Sequence, residues 1–108
     1  MRRNRKAKIL ATLGPSSSDK ATIANLFRAG ADLFRINMSH TDHDMLRRLV
    51  GTIREVEAEV SRPIGVLVDL QGPKLRIGAF AERSVMLTPG QTFILDSDPT
   101  PGDATRVE

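Results

Sequence analysis

The sequence predicts an α/β fold with parallel strands, and three observations carry the prediction. Apolar runs of strand length at 8–13, 33–38 and 64–70 alternate with stretches of helical period. Strand, helix, strand, helix, strand at this spacing implies parallel strands joined by right-handed crossovers. The third run is nearly continuous in apolar residues, as a strand buried on both faces should be. Two and a half β/α units cannot close a barrel, which takes eight units and about 250 residues. A chain of 108 residues therefore reads as the opening of a larger protein.

The elements follow in order. Residues 8–13 (KILATL) form the first strand, and Gly14-Pro15 breaks it. Ser16, Ser17 and Ser18 are candidate caps for a helix in which Ile23, Leu26 and Phe27 share one face. Gly30 stands where a helix end favours a left-handed residue. The second strand is 33–38. Thr41 or Asp42 caps the second helix, with Asp44 in its first turn. Met45, Leu49, Ile53, Val56 and Val60 line that helix, and Arg62-Pro63 ends it. Because the barrel is incomplete, the apolar helix faces (Ile23, Leu26, Phe27; Leu49, Ile53, Val56) are expected to need cover from elsewhere. After the third strand the texture changes. Residues 84–88 and 91–95 flank Pro89-Gly90 as a β-hairpin would. Residues 96–103 are turn-rich, and 105–108 can start another strand.

Composition narrows the class. There is no Cys, which excludes disulfides and thiolate metal sites and makes a reducing cytoplasm the default. No apolar run approaches the roughly 20 residues of a membrane span. The net charge of +3 is uneven: the first eight residues hold five cations (Arg2, Arg3, Arg5, Lys6, Lys8), so the other hundred carry −2. All four aromatics are Phe, which leaves little stacking surface for nucleic acid, and the basic start reads as a solvated tail.

In parallel α/β folds ligands bind at the C-terminal ends of the strands. In FRINMSH (34–40), Phe34, Ile36 and Met38 point one way, and Arg35, Asn37 and Ser39 the other. The apolar set should face the helices and the polar set the interior and its mouth. A guanidinium there needs a partner. Either it holds a phosphate, which suits its fork, or it pairs with Asp69 and nothing binds. Asn37 and Ser39 offer neutral oxygens for a hard cation. Asp69 ends the third strand in VDLQGPKLRIG (68–78) and can ligate a metal, act as a base or pair with Arg35; a Gly-Pro turn then brings Lys74 and Arg76. His40 reads as helix-entry packing or a surface position rather than a proton carrier, and His43 as a solvated first-turn residue. Neither GxGxxG nor a Walker A run is present.

KILATLGPSS, FRINMSH and VDLQGPKLRIG, in this order and spacing, closely resemble the N-terminal part of the pyruvate kinase family. The resemblance covers 8–78 and continues more weakly into the hairpin. It implies the first three β/α units of a TIM (β/α)8 barrel over 1–73, then the start of an inserted small β lid domain over 74–108. It implies phosphoryl transfer from phosphoenolpyruvate to ADP, giving pyruvate and ATP in glycolysis, with Mg²⁺, in a cytoplasmic homotetramer without nucleic-acid or membrane partners. By position, Arg35 resembles the substrate-phosphate arginine. Asn37, Met38, Ser39, His40 and Arg76 resemble nucleotide-binding residues. Asn37, Ser39, Asp69 and the Leu70 carbonyl match the family's monovalent-cation ligands.

The family's Mg²⁺ ligands, catalytic lysine and proton-transfer threonine would lie beyond Glu108, so no catalytic residue falls in this segment and no activity is expected from it alone. Most of the family requires K⁺ and carries Glu at the position of Lys74. A second group has Lys there and works without the ion. Leu70, Gln71, Lys74 and Ile77 all match that group, so K⁺ is not expected to be required. Two other readings compete: a different phosphoenolpyruvate- or pyruvate-utilising barrel enzyme, and a non-catalytic phosphate-binding module.

Overall fold

The structure, a computed structural model, describes residues 3–108. The chain divides into two compact units, one ending at Gly72 and one running from Pro73 to Glu108.

The first unit holds β1 (Leu10–Thr12), α1 (Lys20–Ala29), β2 (Leu33–Asn37), α2 (His43–Val60) and β3 (Gly65–Asp69). The strands form one sheet in the order β1-β2-β3, both pairings parallel, as the spacing predicts. The register sets Thr12 opposite Arg35, and Asn37 opposite Asp69.

Local chemistry places the helix ends. The three candidate serines do not cap α1. Residues Pro15–Ser17 form a single 3-10 turn, in which the Ser17 hydroxyl accepts from Gly14 N–H at 2.9 Å. Asp19 is the cap, its Oδ1 accepting from Thr22 N–H at 2.9 Å. The Thr22 side chain, and then this backbone bond, hold the Asp19 carboxyl below the usual carboxylate range. At the other end Gly30, with φ +137°, donates its N–H to the Leu26 and Phe27 carbonyls, a backbone conformation that favours glycine. Asp42, rather than Thr41, caps α2 by accepting from Met45 N–H at 2.7 Å. The helix stops at Ser61, which is left-handed (φ 48°, ψ 42°), two residues before Pro63.

The core lies between the helices and one face of the sheet. Phe34 and Ile36 of β2 are fully buried against Ile23 and Phe27 of α1, and Ile53 and Val56 of α2. Burial of each such side chain stabilises by about 1.5–3 kcal/mol. The helix faces expected to need cover are therefore already covered, by their own sheet. The other sheet face is the open one: Leu10 and Leu67 are 45% and 43% exposed. Within this segment β3 is the last strand of the sheet, and Leu67, Val68 and Leu70 are exposed.

The basic start is not a solvated tail either, although Arg2 lies outside the described residues. Arg3 and Arg5 both pair with Asp32, at 2.9 and 2.6 Å. Arg3 also donates to the carbonyls of Phe27 and Ala31 and stacks 4.8 Å above the Phe27 ring. Arg5 donates to the Gly30 carbonyl. Two cations thus sit on the carbonyl-rich end of α1, where the helix dipole favours them. A backbone bond from Ile9 and the Arg5 contact hold the Asp32 carboxyl below its ordinary range.

In the second unit the expected hairpin does not form. Residues 84–88 take no strand conformation, and Met86 is almost fully exposed. Thr88 to Gln91 is a turn, closed by Gln91 N–H on the Thr88 carbonyl at 3.0 Å. Beyond it, β4 (Ile94–Leu95) pairs in parallel with β5 (Arg106–Val107). A local hairpin has little apolar surface to bury here, whereas β5 brings Val107, which is buried, and Arg106. That guanidinium grips both Asp96 oxygens and the Asp98 and Thr100 carbonyls. A close approach fixes Gly102: a Cβ there would lie 2.7 Å from the Arg106 carbonyl oxygen and from Val107. The unit is β in type, as expected, but by a different pairing.

Candidate functional site at the strand ends

The parity rule puts Phe34 and Ile36 of β2 into the core and Arg35 and Asn37 on the open face. Arg35 and Asn37 point there, joined by Thr12 from β1 and Asp69 from β3 through the parallel register. Arg35 donates from Nε and Nη2 to one oxygen of Asp69, Oδ2, the first at 3.1 Å. From the other side it donates from Nη1 to the Thr12 hydroxyl at 3.3 Å. Asn37 accepts from Ser39 N–H at 3.0 Å, and its carbonyl accepts from His40 N–H at 3.1 Å, so the FRINMSH tip folds back on Asn37. The Met38 N–H donates to the Asp69 carbonyl at 3.0 Å and ties the two tips together.

The Arg35–Asp69 pair is half-exposed, at 28% and 46%. Ion pairs of that exposure contribute about 0–1 kcal/mol. The pair is therefore weak enough for a doubly charged anion to compete for the guanidinium. Beside it lies a cleft of about 470 Å³, lined by Thr12, Gly14, Pro15, Asn37, His40 and Met45 among others. Its walls are mostly apolar with a polar floor at the strand ends, which suits a ligand with a flat apolar part and a charged tail.

Of the residues singled out in the sequence, Arg35, Asn37, Ser39, His40 and Asp69 gather at this end of the sheet. Met38 contributes its backbone while its side chain packs against the core. Leu70 follows Asp69 and is exposed. Lys74 and Arg76 belong to the second unit, where both are exposed. Thr12 and Pro15 also line the cleft; Pro15 is marked in the sequence only as a strand-end turn. Thr12 has the signal that marked Arg35, a polar residue of the open-face parity at a strand end, but it was read only as part of an apolar run.

The family model for the pyruvate kinase barrel domain matches residues 4–107. The chain belongs to the pyruvate kinase family. It is 58% identical over 107 residues to a pyruvate kinase of Methylorubrum extorquens, covering 99% of this chain and 22% of that one. It is 42% identical over 97 residues to pyruvate kinase 2 of Synechocystis, covering 88% and 16%. Among solved structures it resembles Cryptosporidium parvum pyruvate kinase with a TM-score of 0.83 at 29% identity, over 95% of this chain and 22% of that one. A structure of the Cryptosporidium parvum enzyme in complex with ADP is similar with a TM-score of 0.76 at 30% identity, over 96% and 21%. The chain thus spans about a fifth of the length of the pyruvate kinases it matches. Its sheet is the parallel sheet of a pyruvate kinase barrel domain.

Proposed function

We propose that the chain serves as the N-terminal segment of a cytoplasmic, tetrameric pyruvate kinase that transfers the phosphoryl group of phosphoenolpyruvate to ADP. The observation that carries this is the polar row Thr12, Arg35, Asn37, Asp69 across three strand ends, beside a ligand-sized cleft, in a chain of this family. In this reading residues 1–73 are the first three units of the barrel and 74–108 begin the lid. Arg35 takes the substrate phosphate. Asn37 to His40, with the cleft behind them, and Arg76 take the nucleotide. Phosphoryl transfer asks a protein mostly for positioning and positive charge, and Arg35 supplies both.

Among the described residues no group of three His, Asp or Glu side chains gathers to hold a metal ion. In this reading the Mg²⁺ ligands are expected outside the chain; when bound, the ion would neutralise charge on the transferring group. The oxygens of Asn37, Ser39, Asp69 and Leu70 are of the kind that hold a hard cation. Both Arg35 contacts fall on Oδ2 of Asp69. In this reading Lys74 takes the place of K⁺: its ammonium supplies covalently the charge that the ion would bring. That charge offsets the crowding of two anionic substrates.

The test uses the complete enzyme, with pyruvate and ATP formation followed in a buffer whose only monovalent cation is tetramethylammonium. Full rate is expected without K⁺. Lys74→Glu should cut activity sharply and make the remainder depend on K⁺. A wild type inactive until K⁺ is added refutes the role of Lys74; no pyruvate under any condition refutes the reading as a whole.

A further inference from the structure

The geometry points to Thr12 as a positioning residue that fixes the plane of the Arg35 guanidinium for its anion. This rests on the reading of Arg35 as the phosphate arginine. The two bonds from Arg35 to Asp69 converge on a single oxygen, Oδ2. A bidentate pair on two oxygens would lock the guanidinium plane, but two bonds to one atom leave a pivot. The Thr12 hydroxyl, accepting from Nη1 at 3.3 Å, is the second fixed point.

Its own position is well determined. Thr12 stands directly opposite Arg35 in the β1–β2 register, and a β-branched side chain on a strand has few χ1 rotamers. Of the five N–H donors of a guanidinium, three are engaged, which leaves one on each terminal nitrogen to meet an incoming phosphate. Having accepted from Arg35, the hydroxyl keeps its hydrogen to donate. Thr12 also lines the 470 Å³ cleft. One residue therefore touches the anion-binding arginine and lines the adjoining pocket.

Two substitutions in the complete enzyme separate the hydroxyl from the methyl. Thr12→Val keeps the shape and the methyl and removes the oxygen; Thr12→Ser keeps the oxygen and removes the methyl. Loss of one hydrogen bond from a charged donor should raise KM for phosphoenolpyruvate roughly tenfold in the Val variant. Thr12→Ser should recover most of the affinity for phosphoenolpyruvate. A purely structural role predicts the reverse order, because Val is the better strand former and Ser the poorer. Thermal denaturation of both variants accompanies the kinetics. An active wild type with Thr12→Val unchanged in KM for phosphoenolpyruvate, or with Ser as impaired as Val, overturns the inference and leaves the functional reading intact. A wild type that forms no pyruvate overturns both.

Discussion

Replacing Arg35 by Lys keeps the charge and removes the fork. Arg35 reaches Asp69 through Nε and Nη2 and Thr12 through Nη1, from opposite sides of one planar group. An ammonium is a single point, so it can stay with Asp69 or turn to Thr12 and a phosphate, but it cannot hold all three at the guanidinium's spacing. The lost interaction is one charge-assisted bond to the transferring group, worth about 1.5–3 kcal/mol. With the side chain 28% exposed, the lower end applies, so roughly a tenfold loss is the minimum expected. The assay is kcat/KM for phosphoenolpyruvate in the complete enzyme, coupled to pyruvate consumption. Thermal stability should hardly change, because a half-exposed ion pair contributes about 0–1 kcal/mol. If kcat/KM stays within about twofold of wild type, Arg35 is a structural ion-pair partner and the phosphate assignment fails.

Other outcomes follow from the packing and the caps. Ile53→Ala empties a fully buried position between α2 and the sheet and should cost about 2–5 kcal/mol, read as a lowered denaturation midpoint. Ser61→Gly relieves a left-handed non-glycine residue and should strengthen the last turn of α2 by about 0.5–1 kcal/mol, read as slower amide exchange there. Arg106 holds the Asp96 carboxyl down to about 2. The stabilisation this pair gives is complete above the ordinary carboxylate pKa and is lost as pH falls from about 4 through 2. The 96–105 loop should accordingly loosen over that range, seen in the amide resonances of Thr105 and Arg106.

Sequence periodicity was sufficient for the strands and helices of the first unit because each of those signals is local. Alternation along 33–38 says which side of β2 meets the helices, and Gly30 and Asp42 mark helix ends through bonds to residues within four positions. Misreadings arose where two neighbouring signals compete or where a distant partner decides the outcome. Asp19 rather than the serines caps α1, since Pro15 draws those serines into a turn. Arg3 and Arg5 are solvated on any local reading, and only the fold brings Asp32 and the end of α1 beneath them. The 84–95 hairpin had good turn chemistry but no face to bury, and β4 took a parallel partner eleven residues beyond its own end. At the strand ends, Arg35 and Asp69 were legible because charge at the tip of an apolar strand stands out. Thr12 was not, because threonine suits a strand for its shape alone.

The anchored arm changes how the chain's basicity should be counted. Affinity for a polyanion grows with the number of counterions that mobile cations displace on binding. Arg3 and Arg5 face the single carboxylate of Asp32 and several helix carbonyls, so their charge is already half neutralised and their fork geometry already spent. A charge-based scan would count a dense cationic start, while Lys6 and Lys8 are the exposed cations that a polyanion would meet beyond it. The same two arginines act instead as a clasp, and high salt, which weakens cationic arms on polyanions, here weakens the hold of residues 3–5 on α1.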